Sequence, residues 1–290
     1  MIAEALGIGP VALNRWLSRQ WCPQVLAAWC RQEGLGDWSA MTLAAVIEDL
    51  REPKEAPPAP VSYEIMVSNA VWSEDGTGLR QGGRKQELLA VQDEHSRRKL
   101  NWELVPGPAS SGNVLHYLRW AFEKCGAPLV LKHDGDGIFH TPEVRALLDE
   151  YQVLDLTSPA GHPGYNGKQE RSMRDIKSYE RAMRKDGDKG SLESRIRATM
   201  KDLNDDRPRP VLGGRTARAS YNAGLGQLPD RRLFRASVES KEQELLAMAT
   251  SRREANKAHR KAIEQMLWSY GLMSIEGKVS HDFLLEVGTE

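Results

Sequence analysis

Three acidic residues, each in a different kind of segment, restrict the folds open to this 290-residue chain more than any other feature. Asp75 follows a strand-like run, and Asp134 closes a buried apolar run. Glu170 follows where a helix begins, with 35 residues between it and Asp134. If the two runs are neighbouring strands, both aspartates lie in the same region of one sheet, and the helix brings in Glu170 from above. Carboxylates delivered in this way are typical of a magnesium-dependent phosphoryl-transfer site, because Mg²⁺ prefers hard oxygen ligands.

The order of elements along the chain predicts the rest of the fold. Short apolar or alternating runs predict strands at 69–77, 86–93, 99–105, 127–133 and 153–156. Amphipathic or capped segments predict helices at 112–125, at 142–151 and around Glu170. Three strands followed by alternating helices and strands favour an α/β fold with a mixed five-stranded sheet flanked by helices.

A series of short motifs occurs in a fixed order between residues 69 and 222. They are Trp72-x-x-Asp75-x-Thr77, Asp93-x-x-Ser96-Arg97, Asp134 with Phe139 five residues later, Asn166-Gly167-Lys168-Gln169-Glu170-Arg171, and Leu212-Gly213-Gly214-Arg215-Thr216. Taken together, these motifs resemble the catalytic core of the retroviral-type integrase and DDE transposase superfamily, whose fold is ribonuclease-H-like. Each motif alone is a weak signal, whereas the complete set in order is a specific one.

The resemblance implies a DNA integrase or transposase that cuts the 3′ ends of an element and transfers them into target DNA. In such an enzyme Asp75, Asp134 and Glu170 would be both catalytic and metal-binding. They would hold two Mg²⁺ ions, replaceable by Mn²⁺, with Asp75 between the two. The implied partners are double-stranded DNA, further copies of the chain, and a companion ATPase of the kind that selects targets in related systems.

One motif departs from the family pattern, because Asp134-Gly135-Asp136 stands where the family has Asp-Asn-Gly. The sequence spacings to Phe139 and to Glu170 match the family pattern when counted from Asp134. They favour Asp134 as the catalytic residue, with Asp136 as the alternative. A calcium loop starting at Asp134 is excluded, since its sixth and twelfth positions would need Gly and Glu but hold Phe139 and Arg145.

Several residues beside Glu170 are candidates for contact with DNA. Arg174 and Lys177 follow Glu170 by four and seven residues, so they share its helical face, and the family places basic residues there to hold the transferred end. Asn166 and Lys168 are expected to support them. The alternative is a surface of ion pairs, because acidic residues are interspersed.

The N-terminal segment, residues 2–19, has the pattern of a helix-turn-helix. Its second helix would present Asn14, Arg15 and Arg19 outward, as a recognition helix does in a DNA groove. The alternative is an ordinary helical hairpin that braces the fold. The segment lacks the His-His-Cys-Cys zinc-binding domain of retroviral integrases, so no structural zinc is expected.

Four regions follow from these patterns. They are a helical, helix-turn-helix-like unit (1–52), a Pro-rich linker (53–61), the integrase catalytic core (62–222) and a basic helical C-terminal region (223–290). The C-terminal helices are expected to serve packing or assembly, with direct DNA contact as the alternative.

Overall charge says little about DNA binding, because 40 Lys and Arg balance 40 Asp and Glu. Between Lys168 and Arg218, however, 15 basic residues face 9 acidic ones, and local excess is what neutralises phosphates. We expect a cytoplasmic protein, since the sequence shows no apolar run long enough to span a membrane, no signal peptide and only three cysteines.

Two other functions remain open from the sequence. A nuclease of the same fold would cleave DNA without strand transfer, because fold does not fix function. A domesticated transposase would keep DNA binding and lose catalysis.

Overall fold

A computed structural model describes residues 23–32, 34, 36–44, 62–159, 165, 167–185 and 190–276. The chain divides into two compact units, Met1–Ala59 and Pro60–Glu290. In the described part of the first unit, helix α1 (Pro23–Gln32) buries Leu26, Ala27 and Cys30, and residues 40–44 are helical. The predicted helix-turn-helix, with Asn14, Arg15 and Arg19, and the predicted linker lie outside the described residues.

The second unit contains the predicted series of strands and helices. Its elements are β1 (Ser62–Ile65), β2 (Val71–Gln81), β3 (Arg84–Asp93), β4 (Lys99–Pro106), α2 (Ser111–Cys125), β5 (Val130–His133), α3 (Pro142–Glu150), β6 (Leu154–Thr157), α4 (Gly167–Lys185) and α5 (Leu192–Lys201). They continue with α6 (Ala217–Ala223), α7 (Arg231–Met248), α8 (Arg252–Ala255), α9 (Ala258–Ser269) and β7 (Met273–Glu276). None of the described helices is both long and apolar enough to cross a membrane.

Five strands form the central sheet in the order β4-β3-β2-β5-β6. Strands β2, β3 and β4 pair antiparallel, and β5 and β6 join β2 in parallel, so the predicted mixed five-stranded sheet is confirmed. The turn between β2 and β3 consists of Gly82 and Gly83, whose φ values of 55° and 80° suit a tight two-residue hairpin.

The register between β2 and β5 matters for function. Ser73 pairs with Lys132 across the parallel ladder. Continuing this register by two residues brings Asp134, the residue after β5, level with Asp75 in the middle of β2. The register therefore directs Asp75 and Asp134 toward the same region of the sheet.

Helices α2 and α3 cover one face of the sheet. Helix α2 begins at Ser110, whose side chain accepts from the Asn113 amide, and its apolar stripe packs on the sheet. The buried residues of this layer include Trp72, Leu89, Val91, Val114, Leu118, Phe122, Leu131, Val144 and Leu147.

The opposite face is covered in two parts. Helices α4 and α5 pack on β2 and β3, through Leu79, Leu88, Ala90, Met173, Ile176, Ile196 and Met200. Helices α7 and α9 pack on β5 and β6, through Val130, Leu154, Leu156, Phe234, Val238, Ala262, Ile263 and Leu267. The C-terminal helices thus belong to the same compact unit as the sheet, and β7 pairs antiparallel with β1.

Candidate active site

Asp75 lies in the middle of β2, on the face that α4 covers. Its cross-strand partner on β3 is Ala90. One carboxylate oxygen accepts a 2.8 Å hydrogen bond from the Gly76 amide. The side chain is half-buried, so it is held by local structure and still reached by solvent.

Asp134 and Asp136 have different surroundings in the loop after β5. The exposed Asp134 side chain accepts a 3.1 Å hydrogen bond from the Asp136 amide. The Asp136 carboxylate accepts from the Ile138 amide at 3.2 Å and caps a short 3₁₀ turn, Gly137–Phe139. Asp136 thus caps the turn, and the choice of Asp134 over Asp136 as the triad member stays a prediction.

Gln169, the residue before Glu170, anchors helix α4 to the sheet. The buried side-chain amide of Gln169 donates through Nε2 to the main-chain carbonyl of Ala90 at 2.9 Å. Its side-chain oxygen Oε1 accepts from the Ser73 hydroxyl at 3.4 Å. Ala90 is the residue paired with Asp75. The first turn of α4 is thereby held next to Asp75, with the exposed Glu170 following directly.

The pKa of Asp75 responds to the charges of both other predicted triad members. Burial raises the pKa of this carboxyl, and the charges of Asp134 and Glu170 raise it further. The Gly76 amide and the Lys177 ammonium lower it, and the pKa reaches about 6. Such interactions decline with distance, so Asp134, Glu170 and Lys177 are close enough to Asp75 to affect its ionisation.

Comparison with solved structures supports the assignment of the fold. A chain of the simian T-cell lymphotropic virus intasome, in complex with PP2A regulatory subunit B56 gamma, aligns with a TM-score of 0.54 and 14% identity over 72% of this chain and 77% of that one. The core has the integrase fold. The catalytic core domain of HTLV-2 integrase in complex with magnesium has a TM-score of 0.47 and 19% identity, over 54% of this chain and 98% of its own. The BIV integrase core has a TM-score of 0.44, 20% identity and coverage of 53% and 95%.

Comparisons by sequence give no match. No family model matches this chain, and no curated protein matches it. The integrase-type, ribonuclease-H-like fold therefore rests on the architecture of the sheet and helices.

The predicted triad, Asp75, Asp134 and Glu170, offers only carboxylate oxygens as ligands. Hard divalent cations prefer such oxygen ligands. The carboxylates of the triad nevertheless stay apart. Among the described residues, His133, His140 and Asp155 are the one set of three or more possible ligands with all ligand atoms within 4.8 Å of one another. Like charges repel, and a divalent cation bound by these carboxylates would offset that repulsion.

Glu74 is an acidic neighbour of the site that the sequence did not reveal. It points away from Asp75 to the other face of the sheet and is fully buried. Burial raises the pKa of Glu74 well above its ordinary range, the charges of Asp75 and Asp134 add to this, and the Tyr117 hydroxyl opposes it. Burial thus favours the protonated form of Glu74 over its carboxylate.

A second group of charges, the buried ion cluster, lies beside the triad and consists of Glu94, Lys132, Lys168 and Arg97. The Lys132 ammonium is 3.0 Å from the Glu94 carboxylate. The Lys168 ammonium lies 3.7 Å from that carboxylate, and the Arg97 guanidinium lies 4.0 Å from it. Burial alone would raise the pKa of Glu94, but these three cations lower it to about 2. The cluster was also missed from the sequence, because a lysine within a strand-like run gives no sign of being buried.

Lys168, predicted to support DNA contact, belongs to this cluster. Its ammonium donates to the Tyr63 carbonyl at 2.9 Å and to Glu64 at 3.1 Å. DNA contact by Lys168 stays a prediction, and it would require these bonds to break. Asn166 lies outside the described residues.

A basic groove of about 480 Å³ runs beside α4. Its charged lining residues are Arg97, Lys168, Arg171, Arg174 and Arg209, with Glu64 and Asp175. Arg171 and Arg174 are exposed, whereas Asp175 lies 3.3 Å from Arg207 and 4.0 Å from Arg209. Of the predicted DNA contacts, Arg174 therefore lines an open basic surface, and Lys177 lies near Asp75.

Proposed function

We propose that this chain is a metal-dependent polynucleotidyl transferase, an integrase or transposase that nicks DNA 3′ ends and joins them to target DNA. The observation that carries the proposal is the convergence of the Asp134 and Glu170 charges on Asp75 within an integrase-type fold. Repelling carboxylates oppose folding, and a bound divalent cation reverses that cost.

The three carboxylates have distinct places in this proposal. Asp75, in the middle, would contact two Mg²⁺ or Mn²⁺ ions, Asp134 one and Glu170 the other. When bound, the ions supply positive charge that favours ionisation of the attacking water or 3′-hydroxyl and neutralises the leaving 3′-oxygen. Gln169 keeps Glu170 close to Asp75 through its bond to β3. The scheme uses no protein nucleophile, so no covalent protein–DNA adduct forms.

The DNA would lie along α4, with phosphates in the basic groove. Arg174 projects into that groove, and Lys177 offsets part of the negative charge at Asp75. Asn14, Arg15 and Arg19 would contact DNA through the predicted helix-turn-helix. Because an element has two ends, we propose that two or more copies act together, in the cytoplasm and with a companion ATPase.

A single assay separates this function from its alternatives. The full chain is incubated with Mg²⁺ or Mn²⁺, a labelled duplex end and a supercoiled target plasmid. Joined product supports strand transfer. Nicks without joining would show a nuclease, and metal-independent binding alone would show a catalytically silent DNA-binding protein.

A further inference from the structure

Three side chains from separate segments converge next to the loop that carries Asp134. His133 ends β5, His140 follows the short 3₁₀ turn, and Asp155 lies on β6. Their ligand atoms all lie within 4.8 Å of one another. Two imidazoles and one carboxylate are a common ligand set for divalent transition metals, with softer donors than the all-carboxylate triad.

The surroundings of His133 orient it as metal-binding histidines usually are. The ring is fully buried and stacks on Phe139 with 4.4 Å between centroids. Its Nδ1 faces the main-chain carbonyl of Asp134, and an Nδ1–H that donates to a carbonyl leaves the Nε2 lone pair available. A ring fixed in this way directs Nε2 toward a single point.

The Asp155 carboxylate lies next to His133 Nε2. His133 Nε2 lies 2.6 Å from the Asp155 carboxylate, and the His140 ring meets His133 edge-on with 5.4 Å between centroids. A lone pair and a carboxylate at such a distance repel unless a positive charge lies between them. A proton on His133 and a metal ion are the two ways to provide it.

We propose that His133, His140 and Asp155 bind a divalent transition-metal ion, Zn²⁺ in the first instance. The half-buried His140 and Asp155 open the site toward solvent, which leaves the fourth tetrahedral position for water. The His133–Asp155 pair would widen from 2.6 Å to about 3.3 Å to suit tetrahedral Zn²⁺ bonds of about 2.0–2.1 Å.

The position of this site gives it a structural consequence. His133 and His140 bracket residues 134–139, the loop that carries Asp134, and Asp155 belongs to the neighbouring strand. A bound ion would fasten both ends of the loop to β6 and so fix the place of Asp134. The proposal replaces the expectation of no structural zinc, and it holds whether or not the chain joins DNA.

The test measures metal binding to the full chain, first with Zn²⁺ in competition with a chromophoric chelator and then with Co²⁺ as a spectroscopic probe. We expect one tight Zn²⁺ equivalent, and a Co²⁺ adduct whose visible absorption is intense, as in tetrahedral sites. His140→Ala should weaken Zn²⁺ binding by more than the roughly 10–100-fold that loss of an outer-shell partner costs. His140 is partly exposed, so this variant should fold, and circular dichroism checks that it does.

Two control variants make the test decisive. His116→Ala removes an exposed histidine that lies 3.4 Å from Glu103 without a third ligand, and it should leave Zn²⁺ affinity unchanged. Asp75→Asn should also leave it unchanged, because the triad is a separate site. The proposal is overturned if wild type and His140→Ala bind Zn²⁺ equally, which would assign a proton to the His133–Asp155 pair. It is also overturned if Asp75→Asn abolishes binding, which would place the ion at the triad.

Discussion

The acidic triad and the buried ion cluster lie on one face of the sheet, and their electrostatics are opposite. Asp134 of the triad follows Lys132 of the cluster by two residues. In the cluster, three cations surround Glu94, and its pKa falls to about 2. In the triad, Asp134 and Glu170 act on Asp75, and its pKa rises to about 6. Glu94 is the more deeply buried of the two acids, so charged neighbours, and not burial alone, set the direction of each shift.

The contrast separates a stabilising role from a functional one. Once Glu94 is buried, removing its partners or the acid itself leaves an uncompensated charge in the interior. At Asp75 the charges of Asp134 and Glu170 instead oppose ionisation, at a cost to stability. Such an arrangement is typical of a site that binds cations.

The largest expected effect comes from breaking the triad. Asp134→Asn should lower strand transfer by about 1,000-fold or more, because several kcal/mol of transition-state stabilisation depend on the metal ligands. DNA binding should persist, as measured by fluorescence anisotropy with a labelled duplex end. Asp136→Asn is the matched control, two residues away in the same loop. Activity retained in Asp134→Asn and lost in Asp136→Asn would reverse the assignment.

Disrupting the buried ion cluster should lower the free energy of unfolding, in addition to any effect on activity. Glu94→Gln leaves the Lys132 ammonium without its nearest anion, and loss of one partner of a buried pair costs about 3–5 kcal/mol. Urea unfolding measures this loss. Glu150→Gln, which removes an exposed partner of Arg119, should leave the midpoint unchanged. Equal effects of the two variants would contradict the stabilising role of the cluster.

The pH dependence of stability should reveal the repulsion in the triad. The pKa of Asp75 is raised from 3.8 to about 6, so the folded state holds this proton more tightly than the unfolded one. Its destabilising contribution is absent below pH 4, grows as pH rises toward 6 and then stays constant, reaching at most about 3 kcal/mol. Added Mg²⁺ should therefore raise the melting temperature more at pH 7.5 than at pH 5. An equal Mg²⁺ effect in Asp75→Asn would show that the ion binds elsewhere.

The smallest effect is expected in the basic groove. Arg174→Ala should weaken binding to DNA of any sequence and reduce the salt dependence of the logarithm of affinity by about one unit, the loss of one phosphate contact. Arg197→Ala is the control, since Arg197 is exposed on α5 and paired with Glu193 at 2.9 Å. If both variants keep the wild-type salt slope, phosphates do not lie in the groove.

The central sheet could be predicted from the sequence because its signals are local. The alternation around Asp75 and the apolar run before Asp134 each define a strand, and motif spacing sets their order. Strands β1 and β7 could not be predicted in this way. Each has only four residues, and their pairing joins segments about 200 residues apart in the sequence, which no local pattern records.

The sequence proposes the triad through motif spacing, and its catalytic role stays a prediction, whereas the surroundings of the triad could not be predicted. The burial of Lys132 and Glu94 depends on partners from three other segments, and the sequence shows them only as charges near strands. The grouping of His133, His140 and Asp155 depends on the parallel pairing of β5 with β6. Residue spacing within a motif carries no information about such contacts.

The packing of α7 and α9 on the sheet has a practical consequence for defining a minimal folded core. A fragment ending at residue 222 would contain every motif of the integrase-type core but would lose the helices that shield Val130, Leu154 and Leu156 from water. It would also leave β1 without the strand that pairs with it. The smallest piece of this protein that keeps these contacts must therefore extend to about residue 276, and shorter versions should aggregate.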